Sequence, residues 1–201
     1  MRRTTAAVAA LVLAGTALGA VTAAAGTATA ATAGATACPT GWGSGDKGGA
    51  ASGAVPLENI RTGRHDCFDR LVFDVPGGGT LGYSVRYVDR LAQVATGDYI
   101  PVGGGAVLDI RVGAPAYDPA SGAPAYPGRA GRPLPGVDIS GYRTFRDTRF
   151  AASFEGETQI GLGVRARLPF RVIQLPDQLV VDVAHSWEAA ATGPVTTSSA
   201  R

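Results

Sequence analysis

The stretch Ile160-Gly161-Leu162-Gly163-Val164-Arg165-Ala166-Arg167-Leu168-Pro169-Phe170-Arg171-Val172 places an apolar residue at every second position. That is the period of extended chain, and it predicts a strand with one buried face. The intervening positions hold three arginines and two glycines besides Pro169, so the opposite face is expected to offer guanidinium groups. Thirteen residues at about 3.3 Å each would span roughly 43 Å, longer than an ordinary strand, and a proline cannot donate to a ladder. A break or bend is therefore expected at Pro169.

The same period recurs on both sides. Leu71, Phe73 and Val75 alternate with Arg70, Val72 and Asp74, and Leu81, Tyr83, Val85 and Tyr87 alternate with Gly82, Ser84, Arg86 and Val88. Leu108, Ile110 and Val112 enclose Asp109 and Arg111, while Leu179, Val181 and Val183 alternate with Val180, Asp182 and Ala184 in a strand that buries most of itself. Turn signals fall between the runs at Gly77-Gly78-Gly79, Gly103-Gly104-Gly105, Glu155-Gly156 and Pro176-Asp177. No helical stripe is sustained. Short strands spaced by such turns predict an all-β fold, a single sandwich or barrel-like domain.

Residues 113–141 interrupt the pattern with Pro115, Pro119, Pro124, Pro127, Pro133 and Pro135 among glycines and alanines. A loop this long is either functional or disordered. Its Tyr117 and Tyr126 are candidates to meet a sugar ring, with packing onto the domain as the competing role.

Met1-Arg2-Arg3 followed by an uncharged Ala/Val/Leu run reads as a secretory signal peptide over residues 1–30, with Ala28-Thr29-Ala30 the favoured cleavage site. Thr16, Thr22 and glycines dilute the run, which makes a retained membrane span the weaker reading. The expected organisation is then a flexible Gly/Ala/Ser/Thr leader over 31–55, one domain over 56–187 and a disordered tail over 188–201. Lys+Arg total 18 against 16 Asp+Glu, and Arg2 and Arg3 account for the whole excess. A neutral mature chain argues against general nucleic-acid or anionic-membrane binding.

Cys38 and Cys67, 29 residues apart, both fall in the exported part and point to a disulfide. Two other states compete with it: a lipid-modified Cys38, against which Ala35 stands where a lipobox prefers leucine, and a reactive Cys67 beside His65.

Four segments taken together carry a resemblance. They are Gly63-Arg64-His65-Asp66-Cys67-Phe68-Asp69-Arg70-Leu71-Val72, Gly82-Tyr83-Ser84-Val85-Arg86-Tyr87, Phe154-Glu155-Gly156-Glu157-Thr158-Gln159-Ile160-Gly161-Leu162-Gly163 and Val180-Val181-Asp182-Val183-Ala184-His185. With them the chain resembles the actinobacterial AMIN-like domain family from about residue 61 to 187. The resemblance implies a distant relative of the AMIN domain, a β-sandwich that places cell-envelope amidases and secretins on peptidoglycan. The 113–141 loop departs from that pattern, and the 201 residues hold no recognisable amidase or secretin domain.

Arg165, Arg167 and Arg171 are the candidate binding residues, provided Pro169 leaves them on one side. There they would receive carboxylates through paired N–H donors. The competing role is pairing across strands with Asp74, Asp182 or Glu157. Arg143, Arg146 and Arg149 add further basic groups. His65, Asp66 and His185 suggest a small hydrolase, but two distant histidines without an H-x-x-x-H or H-x-H element make a poor metal site, and no G-x-S-x-G elbow is present. The expectation is a secreted, envelope-associated, non-catalytic module with no cofactor and no metal, binding peptidoglycan or another anionic wall polymer. A wall hydrolase using His65, Asp66 and His185 is one competing expectation, and a protein-interaction module using the 113–141 loop is another.

Overall fold

The computed structural model describes Cys38 and residues 41–50 and 55–187. The predicted signal peptide and the 188–201 tail lie outside the described residues. Those described contain no helix and eleven strands: β1 (Lys47–Gly49), β2 (Asn59–Arg64), β3 (Phe68–Asp74), β4 (Tyr83–Val88), β5 (Leu91–Ala92), β6 (Tyr99–Ile100), β7 (Ala106–Val112), β8 (Phe145–Phe154), β9 (Glu157–Val164), β10 (Phe170–Leu175) and β11 (Gln178–Ala184). Consequently none of them lies in a helix long and apolar enough to cross a membrane.

A five-stranded antiparallel sheet runs β1-β4-β7-β9-β8, and a four-stranded one runs β10-β11-β3-β2. Leu108, Ile110, Val112, Ile160, Leu162 and Val164 of the first meet Leu71, Phe73, Phe170, Leu179, Val181 and Val183 of the second in one core. The fold is thus the expected all-β sandwich, with alternate residues supplying the apolar filling between the sheets.

The run at 160–172 belongs to both sheets. β9 ends at Val164, residues 165–169 cross over, and β10 begins at Phe170 directly after Pro169. The single buried face expected there is corrected within β9, where every residue after Glu157 is buried. A third layer covers the outer side: the β5–β6 hairpin and the chain that follows it lie on Gly161 and Gly163. A Cβ at Gly161 would stand 2.4 Å from Leu91, and one at Gly163 would stand 1.8 Å from the Gly103 carbonyl oxygen. Glycine at these two positions is what lets the layer settle.

The leader expected to be flexible over 31–55 is corrected in part. Lys47–Gly49 pairs with β4, Gly43 accepts from the Phe170 N–H at 2.9 Å, and the Lys47 ammonium sits 4.0 Å from the Phe170 ring centre. The Cys38–Cys67 disulfide is present, with Cα atoms 5.2 Å apart. Burial of the Lys47 amine lowers its pKa.

Residues 113–141 close one side of the sandwich. The Leu57 N–H donates to the Pro115 carbonyl and the Thr62 hydroxyl to the Asp138 carbonyl, which ties the segment to the start and the body of β2. Along β8, Gly131 and Arg132 exchange backbone hydrogen bonds with Phe150, and the Ser153 hydroxyl accepts from the Ala116 N–H. Ala114, Ala116, Tyr126 and Leu134 are buried in the main core. Proline suits this position because the wall supplies side chains without needing a ladder of its own.

Candidate functional site

The crossover at 165–169, the β2–β3 turn, the start of β8 and the end of β11 all lie at the same end of the sandwich. Register fixes this: Phe145 and Ala106 pair with Val164, Arg64 with Asp69, and Phe68 with Ala184.

Asp69 organises that end. Its carboxylate is 1% exposed and accepts at Oδ2 from the Thr144 N–H at 2.5 Å and the Phe145 N–H at 3.4 Å. At Oδ1 it lies 3.0 Å from His185 Nε2. The other imidazole nitrogen, Nδ1, lies 3.1 Å from the Asp66 carbonyl oxygen, and the His185 N–H donates to the Cys67 carbonyl. Three segments distant in the chain, at residues 66–69, 144–145 and 185, are thereby knotted together.

At this knot opens a groove of about 360 Å³ lined by Arg64, His65, Asp66, Asp69, Gly141, Arg143 and His185. His65 stacks on Phe68 with ring centres 4.3 Å apart. Arg143 Nη1 reaches the Asp66 carbonyl at 3.4 Å. The three residues weighed for hydrolysis, His65, Asp66 and His185, do meet in one cleft. Yet both nitrogens of His185 already face protein oxygens, so neither points a free lone pair at a substrate. Among the described residues no group of three or more His, Cys, Asp or Glu is placed to hold a metal ion.

The arginines of the 160–172 run separate. Arg165 and Arg167 are exposed in the crossover: Arg165 bonds the His185 carbonyl through Nη2, while Arg167 bonds Ser44 and lies 4.9 Å from the Tyr87 ring centre. Arg171 sits instead on the outer face of the four-stranded sheet, bonded to Asp182 and 4.3 Å from the Trp42 ring centre. The shared face is corrected, because parity along the chain does not carry across a change of sheet. Tyr126 is likewise corrected as a ligand-facing ring: it is 3% exposed and its hydroxyl donates to the Pro135 carbonyl at 2.9 Å. Tyr117 is half-buried and bridges to Pro124.

Two groups at this end carry no sequence signal. Arg64 reads as one more charge beside a histidine, and Trp187, the last residue before the tail, is 57% exposed with its indole N–H donating to the Arg167 carbonyl at 2.8 Å. Arg64, Arg143, Arg146, Arg165 and Arg167 therefore collect at one end, and none forms an ion pair with a carboxylate among the described residues. Arg146 is spent on the backbone carbonyls of Tyr142, Arg143 and Phe145.

The family model described as AMIN-like domain matches residues 55–185. No curated protein and no solved structure matches the chain.

Proposed function

Since the chain belongs to the AMIN-like domain family, we propose that it is a secreted, non-catalytic module that associates with the cell envelope by binding peptidoglycan or another anionic wall polymer. The observation that carries this reading is the basic, aromatic-bearing end of the sandwich. Arg165 and Arg167 are exposed there, without carboxylate partners among the described residues, at the same end as the exposed indole of Trp187. Sugar rings stack on aromatic faces, and the carboxylates of peptide stems meet guanidinium groups through paired N–H donors. The charge of the mature chain is balanced overall, so the basic excess is made by placement. The disulfide is compatible with an oxidising, extracytoplasmic location.

Co-sedimentation with purified peptidoglycan tests the reading. The protein is expected in the pellet at low salt and partly released as salt rises, with the Arg165→Ala/Arg167→Ala double variant and Trp187→Ala each shifting it towards the supernatant. Recovery of the unaltered protein only in the supernatant, at low and physiological salt alike, would sink it. A second reading, hydrolysis of the wall polymer, is favoured by the meeting of His65, Asp66 and His185 in one groove. Release of soluble muropeptides from the same peptidoglycan, abolished by His185→Gln, would establish hydrolysis in place of simple binding.

A further inference from the structure

We propose that the groove between Arg64 and Arg143 is an oxyanion site, which takes a terminal carboxylate or a phosphate group presented by a polymer. This deepens the wall-binding reading and rests on it for the source of the ligand. The site itself rests on geometry. Its lining includes the two arginines Arg64 and Arg143, and neither forms an ion pair among the described residues. Among the described residues Arg143 is bonded only to a backbone carbonyl, at 3.4 Å, which leaves its remaining donors for a guest. Arg64 lies against Gly141, where an added Cβ would come within 3.1 Å of its Nη1.

The lining is held before any ligand arrives. Asp69 pins the backbone of Thr144 and Phe145, His185 ties Asp69 to the Asp66 carbonyl, and the disulfide at Cys67 fixes the turn between. A site with fixed donors loses less on binding than one that must be ordered. Of the nearby acids, Asp69 is satisfied by two N–H groups and His185, so its charge is compensated locally. Asp138, whose carboxyl is held below the usual range mainly by the Ser140 N–H and in smaller part by Arg64, stands outside the groove. Asp66 also lines the groove, and its negative charge opposes an anion.

That opposition supplies the decisive test, because removing it should strengthen binding, which misfolding does not do. Amide and arginine Nε–H NMR shifts of the disulfide-bonded protein are followed at low ionic strength during titration with N-acetyl-alanyl-alanine and, separately, with glycerol 1-phosphate. The expected result is saturable shifts at Arg64, Arg143 and His185 with at least one probe. Arg64→Gln and Arg143→Gln should each weaken binding roughly fivefold or more, Asp66→Asn should tighten it about threefold, and the exposed control Arg132→Gln should leave it unchanged. The carboxylate arm responding points to peptide stems, the phosphate arm to a polymer that presents a phosphate monoester. No saturable shift with either probe, or an affinity indifferent to both arginines and to Asp66, overturns the site. Probe binding by a protein that never sediments with peptidoglycan leaves the groove standing and removes the wall reading instead.

Discussion

Arg171 Nε donates to the carboxylate of Asp182 at 2.9 Å across two neighbouring strands in direct register. From the strand on the other side, Arg70 closes on the same group at 2.6 and 2.9 Å. Asp182 is wholly buried beneath the two guanidinium groups, and the bond to it raises the pKa of Arg70 further. Trp42 and Phe68 flank Arg171, with its guanidinium carbon 4.3 and 5.3 Å from their ring centres. Arg171, which the sequence sets in a row with Arg165 and Arg167, thus lies apart from them in a closed layer of charge and aromatic stacking.

Asp182→Ala is expected to lower unfolding free energy by about 2 to 3 kcal/mol, less than a fully buried pair would lose because both arginines keep contact with water. Asp182→Asn retains an acceptor and should lose less. Urea unfolding midpoints of the two variants check this. An Asp182→Ala midpoint equal to that of the unaltered protein would show that the layer holds nothing together.

Gly163→Ala should be far more damaging than a surface glycine substitution. Its Cβ would meet the carbonyl oxygen of Gly103 at 1.8 Å, backbone that has no rotamer to yield. The expected loss is about 3 kcal/mol or more, from overpacking that displaces the outer layer. Gly45→Ala, which meets nothing within 4 Å, is the control, and thermal melts of both decide it.

The sandwich was legible because its inward positions are apolar at period two: Leu108, Ile110 and Val112, or Leu179, Val181 and Val183, name their own core. Period two says which residues share a face, but nothing about what covers it. The outer layer over β9 comes from Leu91 and Ile100, set among polar turn residues with no run of their own. β1 reads Lys-Gly-Gly, without an apolar residue, and is a strand only because Tyr83 to Val85 pair with it. The site was legible in part. Cys38 and Cys67 announced their bond, and Arg165 and Arg167 their exposure. Arg64 and Arg143 become neighbours only through the grip of Asp69 on the Thr144 backbone, a long-range contact that no local pattern carries.

Burial holds the Tyr126 hydroxyl protonated well above the ordinary tyrosine value of 10.0. The unfolded chain releases that proton near the ordinary value. Above it the folded state holds one more proton than the unfolded state, so stability falls as pH rises, by about 1.4 kcal/mol per pH unit for this group. Below that value the contribution is complete. Tyr87, also raised by burial, acts in the same direction. Lys47, lowered by burial, acts in the opposite direction just below its ordinary value of 10.5, so the tyrosine effect is read as the difference between urea midpoints of the unaltered protein and Tyr126→Phe above about pH 10. Tyr126→Phe should lose about 1 kcal/mol at neutral pH, where the Pro135 carbonyl loses its donor, yet decline less steeply in alkali. Parallel alkaline slopes for the two proteins would refute the assignment.

The disulfide does more than close a loop. Cys67 directly precedes β3, and Trp42, four residues beyond Cys38, packs edge-on to Phe68 with ring centres 5.7 Å apart while Arg171 covers its face. Phe170 holds the next residue, Gly43, through its N–H. Reduction should therefore loosen the segment around Trp42 first and leave the two sheets formed. Cys67→Ser is expected to cost about 2 to 5 kcal/mol, with far-ultraviolet dichroism unchanged and Trp42 emission shifted to the red as its stacking partners part. Trp187, already exposed, contributes a constant background that Trp187→Phe removes. Thiol titration of the denatured, unreduced protein should find no free cysteine. Two reactive thiols per chain, or a Trp42 emission indifferent to reduction, would show that the clamp is not what seats the N-terminal segment.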